Sequence, residues 1–207
     1  MKTTILRRAA LAGVALSALL ATAACGGDDT GGMTHGTGSS SAAGASPSAG
    51  ATFNDADVMF AQMMIPHHQQ AVTMADLAPT RASDTELKDL AARIKAAQDP
   101  EITTMKGWLT AWGKPMDLPS DHSMPGMTSG MPGMMSEQQM KNLAAANGAA
   151  FDKMFAELMI AHHNGAIDMA KAEQADGSNP EAKALAARIA SDQATEVQTL
   201  RKILDRL

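Results

Sequence analysis

Two adjacent histidine pairs, His67-His68 and His162-His163, sit in nearly the same surroundings. Asp57-x-Met59-Phe60-Ala61-x-x-Met64-Ile65-x-His67-His68-x-x-Ala71-x-x-Met74-Ala75 returns as Asp152-x-Met154-Phe155-Ala156-x-x-Met159-Ile160-x-His162-His163-x-x-Ala166-x-x-Met169-Ala170, with 11 of 19 positions identical at a constant offset of 95 residues. The two copies therefore share imidazole nitrogens, thioether sulfurs and one carboxylate. Imidazole and thioether without thiolate suit Cu(I) best, and Cu(II) could use the imidazoles with Asp57 or Asp152. Zinc normally takes a fuller set of His, Cys or carboxylate ligands. A di-iron bundle needs Glu-x-x-His motifs, and the chain has none.

On a helix turning about 100° per residue, with Phe60 at zero, Ala71 falls near 20°, Met64 near 40°, Met74 near 320° and His67 near 340°. Asp57 falls near 60° and His68 near 80°, at the edge of that face. The spacing predicts that His67 and His162 point inward with the methionines and that His68 and His163 lie at the margin. Met64 precedes its histidines by three and four residues, one helical turn, and Met159 does the same. A buried neutral histidine without a partner costs about 1–3 kcal/mol, so each must be hydrogen-bonded or bound to something. The plain alternative to a metal is that Asp57, Asp152 or backbone carbonyls satisfy the imidazoles while the methionines fill space.

The repeat extends downstream in the same register: Glu86, Lys88, Leu90 to Ile94, Gln98, Glu101, Thr104 and Leu109 match Glu181, Lys183, Leu185 to Ile189, Gln193, Glu196, Thr199 and Leu204. Two copies of one supersecondary unit follow. Strand signals are absent, and Ala, Leu and Met recur at helical spacing. Four helices are predicted: from about Asp55 to Ala78, stopped by Pro79; from a capping box at Ser83-x-x-Glu86 to about Trp112; from Ser136-x-x-Gln139 to about Ala175; and from Asn179-Pro180 to the C-terminus. Pro66 and Pro100 fall inside the first two and should kink them. The expected fold is all-α, a four-helix bundle of two hairpins: repeat 1 over about 54–112, a crossover over about 113–135 and repeat 2 over about 136–207, together a domain from 52 to 207.

The crossover carries His122-Ser-Met124-Pro-Gly-Met127-x-x-x-Met131-Pro-Gly-Met134-Met135. Thioethers so closely spaced in a Pro-Gly loop are not expected to be core, and two or three of them could wrap one soft cation such as Cu(I) or Ag(I). A low-complexity linker is the alternative. Lys2, Arg7 and Arg8, an apolar run from Ala9 to Ala21 and small residues before Cys25 read as a signal peptide over 1–24. Cys25, the only cysteine, follows Thr22-Ala23-Ala24 as in a lipobox, with Thr22 where leucine is usual; lipidation there, or ordinary cleavage, would follow. Residues 25–51, mostly Gly, Ser, Ala and Thr after Cys25, would tether the domain on the order of 30 Å from the membrane.

Removing residues 1–24 takes away three basic groups and no acidic ones, so the net charge moves from 17 − 22 = −5 to 14 − 22 = −8. Nucleic acid is not an expected partner. No hydrolase elbow, phosphate loop or zincin motif is present, and a non-enzymatic role is expected, with a copper-dependent oxidase as the enzymatic alternative.

The doubled Met-Ile-x-His-His-x-x-Ala-x-x-Met-Ala signature, Met64 to Ala75 and Met159 to Ala170, resembles the family called domain of unknown function 305 over Asn54 to Leu207. The resemblance implies a ferritin-like four-helix bundle in exported bacterial proteins, some of them copper-binding and linked to copper tolerance. It places His67, His68, His162, His163 and the repeat methionines at signature positions. The resulting expectation is an envelope lipoprotein that buffers or passes on copper, with a metal-exchange partner. The alternative is an envelope interaction or stress module whose histidines are structural.

Overall fold

The computed structural model describes residues 52–117 and 131–207; the signal segment, Cys25, the tether, His122, Met124 and Met127 lie outside them. Among the described residues there is helix and no strand. Four long helices, α1 (Asp55–Ala75), α3 (Thr85–Ala111), α5 (Gly148–Asp176) and α6 (Pro180–Leu204), are joined by the short α2 (Ala78–Arg81) and α4 (Glu137–Ala145). Helix α1 packs on α3, α5 on α6, α1 on α5 and α3 on α6, which closes two hairpins into a four-membered ring of helices. Both prolines stay inside continuous helices, Pro66 in α1 and Pro100 in α3.

Local chemistry sets the boundaries. Asn54 caps α1, accepting from the Ala56 and Asp57 amides, while Asp57 accepts the Asn54 amide in return. Ser136 and Gln139 form the expected capping box on α4, and Asn179 caps α6 ahead of Pro180. Three boundaries differ from the sequence expectation. Helix α1 ends at Ala75, and the residues toward Pro79 form the separate turn α2, because a proline cannot continue the ladder. The cap of α3 is Asp84, whose carboxylate accepts from the Leu87 amide, so Ser83 is left free for another partner. The single third helix is broken into α4 and α5 at Ala146-Asn147-Gly148, where Gly148 takes φ +60°. An Asn-Gly pair is a turn signal even between helical stretches.

The core has two clusters related by the repeat. One gathers Phe60, Met63, Met64, Trp108, Leu109, Met169 and Ile189; the other gathers Met74, Leu90, Phe151, Phe155, Met159, Leu143 and Leu200. Between them α1 and α5 lie side by side, and this contact brings the two copies of the histidine motif together.

Candidate metal centre

All four histidines are fully buried. The rings of His67 and His162 meet with centroids 3.7 Å apart and planes tilted by 39°, so the pair expected to face inward converges between α1 and α5. His163 lies next to it, its ring centroid 6.4 Å from that of His162. His68 and His163 are not at the margin as the wheel suggested. A histidine at the edge of the α1–α5 face still points toward the second helix of its own hairpin, where a carboxylate meets it. His68 Nε2 donates to Glu101 Oε2 at 2.9 Å and His163 Nε2 donates to Glu196 Oε2 at 2.7 Å. His67 Nε2 donates to the carbonyl of Pro132 at 3.0 Å.

Carboxylate and carbonyl oxygens accept, which places a ring proton on Nε2 of His67, His68 and His163. The Nδ1 atoms of these three rings have no partner, and neither nitrogen of His162 makes a well-formed hydrogen bond, the nearest acceptor being the backbone of His67, which offsets little of the effect of burial. An imidazole oriented through one nitrogen by a carboxylate or carbonyl, with the other left free, is the arrangement that metal-ligating histidines use. Gln98 and Gln193, one helical turn before Glu101 and Glu196, are also buried with unpartnered amide atoms. Burial, and then the neighbouring His68, push the pKa of His67 down to about 3. Burial and then His67 depress His162 further. These two rings are therefore neutral at pH 7, the form in which imidazole binds a metal.

Met64 and Met159 are fully buried one turn before the histidines, and Met74 and Met169 are buried two turns after the inward pair. The carboxylates do not join this set. Asp57 accepts from the Ser178 and Asn179 amides, at 3.1 and 2.9 Å, ahead of α6. Asp152 accepts from the Ser83 and Asp84 amides at 3.0 Å, and from the Ser83 hydroxyl, ahead of α3. Each aspartate thus closes the helix start of the opposite hairpin, which removes Asp57 and Asp152 from the candidate ligands. Burial alone would raise the Asp57 pKa, but the amides of Asn54, Asn179 and Ser178 hold it below the ordinary carboxylate value.

The end of the crossover also departs from expectation. Met131 packs on the first core cluster and Met135 is buried in the second, so they are core; Met134 is half-buried. Met131-Pro132-Gly133-Met134 is a turn closed by the Met134 amide on the Met131 carbonyl at 3.1 Å, with Gly133 at φ +76°. A Cβ on Gly133 would stand 2.7 Å from the carbonyl of Ala161, and one on Gly165 would overlap the Pro132 carbonyl. Gln70 clamps the turn from the other side, accepting from the Met135 amide at 2.7 Å and donating to its carbonyl at 2.9 Å. Glycine against glycine is what lets the turn reach His67.

Sequence reasoning missed Glu101, Glu196 and Pro132 as partners. The first two were visible as a matched acidic pair in the repeat register; a backbone carbonyl leaves no such trace. Among the described residues no three His, Cys or carboxylate side chains are grouped around one point for a metal. The donors shown to meet are the His67 and His162 imidazoles, with Met64 and Met159 one helical turn away along α1 and α5 in the two core clusters. That set fits a soft monovalent ion, which accepts few N and S ligands, better than a hard divalent one.

A family model described as domain of unknown function DUF305 matches residues 57–204. A DUF305 protein from Streptomyces coelicolor is 34% identical, with TM-score 0.68, over 73% of this chain and 93% of its own. A DUF305 fragment from Deinococcus radiodurans is 30% identical, with TM-score 0.66, over 76% and 99%. CopM in its Cu(I)-bound form is 32% identical, with TM-score 0.61, over 72% and 96%, and CopM structures with Cu(II) and with silver match as well. No curated protein matches the chain.

Proposed function

The chain belongs to the DUF305 family, and we propose that it is an extracytoplasmic copper-binding protein that holds Cu(I) at its paired histidines for buffering or transfer. One observation carries the reading: the buried, neutral imidazoles of His67 and His162 meet between α1 and α5 with ring nitrogens left unpartnered, flanked by the buried His68 and His163 that Glu101 and Glu196 hold through Nε2. Leaving a buried polar nitrogen unpaired costs about 1–3 kcal/mol, and binding a cation removes that cost. CopM, crystallised with Cu(I), Cu(II) and silver, supports the choice of metal. His67, His162, His68 and His163 are the proposed imidazole ligands, with Met64 and Met159 the nearest thioethers by helical spacing. Glu101, Glu196 and Pro132 orient the rings. The amino-terminal signal pattern and Cys25 support export and anchoring at the outer face of the cytoplasmic membrane. We read the protein as a carrier and not an enzyme.

The hydrogen bonds of His68 and His163 to Glu101 and Glu196 by themselves would suit structural histidines. His162, with no well-formed hydrogen bond on either nitrogen, favours the ligand reading. The test is competition with a chromogenic Cu(I) chelator. The wild-type protein should withdraw Cu(I), and His67→Ala with His162→Ala should lose at least ten-fold in affinity. Equal affinity and stoichiometry in the double variant would remove the site from the histidine pair, and no withdrawal by either protein would leave the histidines structural.

A further inference from the structure

The two copies of the repeat are not equally covered. In the second copy, Met140 and Leu143 of α4 pack in the cluster that contains Leu77, Met154, Phe155 and Leu158. The corresponding surface of the first copy, 95 positions earlier or later, is formed by Ala172, Met59, Phe60 and Met63, together with Met169 and Pro132. Among the described residues no counterpart of α4 packs on it, and it is a half-open groove of about 460 Å³ floored by the buried Phe60, Met63 and Met169. The stretch that would repeat α4 there, 137–145 shifted to 42–50, reads Ala-Ala-Gly-Ala-Ser-Pro-Ser-Ala-Gly. It has proline and glycine and no large apolar side chain to match Met140 and Leu143.

The rim differs in charge as well. Exposed Asp55, Asp168 and Asp176 line the groove where the covered copy has Ala150, Thr73 and Arg81. None of the three pairs with a lysine or arginine among the described residues. Glu173 at the floor is 2% exposed and replaces Ala78. An apolar trough with an unpaired acidic rim, on a surface whose twin is filled by an amphipathic helix, defines its complement by shape and sign. We propose that the Met59–Met63–Met169 groove docks a short amphipathic helix of another protein, one that presents Met or Leu at the spacing of Met140 and Leu143 and is flanked by basic residues. This is the helix-in-groove mode of recognition. Pro132 walls the groove and also accepts from His67, so on the copper reading a docked partner stands against the turn that holds the metal pair; that last step rests on the copper reading, whereas the docking does not.

The test uses the full, metal-free chain with 13C-methyl methionine, titrated with a lactam-locked helical peptide. The peptide carries the α4 apolar spacing with flanking lysines, and a second version carries glutamates. The lysine peptide should shift the methyls of Met59, Met63 and Met169 to saturation, at least ten-fold more tightly than the glutamate peptide and less tightly as salt is added. Asp55→Asn with Asp168→Asn and Asp176→Asn should weaken it several-fold at unchanged melting temperature. The proposal is overturned if the three methyls do not move at millimolar peptide, or if both peptides bind alike. It is equally overturned if the methyls shift with protein concentration alone, since a second copy would then be the occupant. Movement on deletion of residues 118–130 would assign the groove to this chain's own crossover and overturn it too.

Discussion

Three of the four histidines of the centre are oriented through Nε2. Glu101 and Glu196 fix His68 and His163 from the neighbouring helix, and Pro132 fixes His67. Glu101→Gln with Glu196→Gln should therefore lower Cu(I) affinity by about 10- to 100-fold while leaving helix content unchanged, as chelator competition and circular dichroism would show. An unchanged affinity would make the glutamates mere surface neighbours. The depressed pKa of His67 also predicts an acid limit. The unfolded chain binds a proton near pH 6.5 that the native chain refuses until about 3, so this contribution to stability is complete above 6.5 and is lost as pH falls toward 3. Urea midpoints of the metal-free protein between pH 7 and 4 should fall, and His67→Gln should flatten part of that slope. The histidines and methionines were legible in the sequence because helical spacing puts them on one face. Their orienting partners lie 33 and 65 residues away, and no local pattern reports such distances.

At the level of elements, the two buried aspartates show how a correct repeat can carry a wrong role. Their recurrence beside the histidines made Asp57 and Asp152 look like ligands, yet each accepts from the two amides just ahead of a helix in the opposite hairpin. Asp152→Ala leaves the Ser83 and Asp84 amides without their acceptor and should cost about 1–3 kcal/mol or more, with Cu(I) stoichiometry retained. A variant that folds but loses its copper would return the carboxylate to the ligand set. The Pro132-Gly133 turn makes the companion case. Gly165→Ala forces a Cβ into the Pro132 carbonyl, and overpacking of this kind costs about 1–3 kcal/mol, read as a lower melting temperature. Helix starts at Asn54, Ser136 and Asn179 could be read from capping chemistry alone. The break at Asn147-Gly148 and the cap at Asp84 could not, because good helix formers surround both and tertiary contacts decide between neighbouring starts.

Over the whole molecule, duplication gives the hairpins and the meeting of the histidines, and departures from duplication give everything specific to one side. Glu173 is such a departure: burial, and then Asp57, raise its pKa to about 8. The native chain then holds a proton that the unfolded chain releases near 4.5, so stability declines as pH rises from about 4.5 through 8. Glu173→Gln should remove that decline in thermal melts taken from pH 5 to 9, and an unaltered slope would place the titration elsewhere. The most direct test of the central claim is an anomalous-difference map at the copper edge from crystals of the full domain loaded with Cu(I). The account predicts the strongest peak between α1 and α5, within bonding distance of an imidazole nitrogen of His67 or His162. Peaks confined to the crossover methionines or to the surface, with the histidine pair empty, would contradict it.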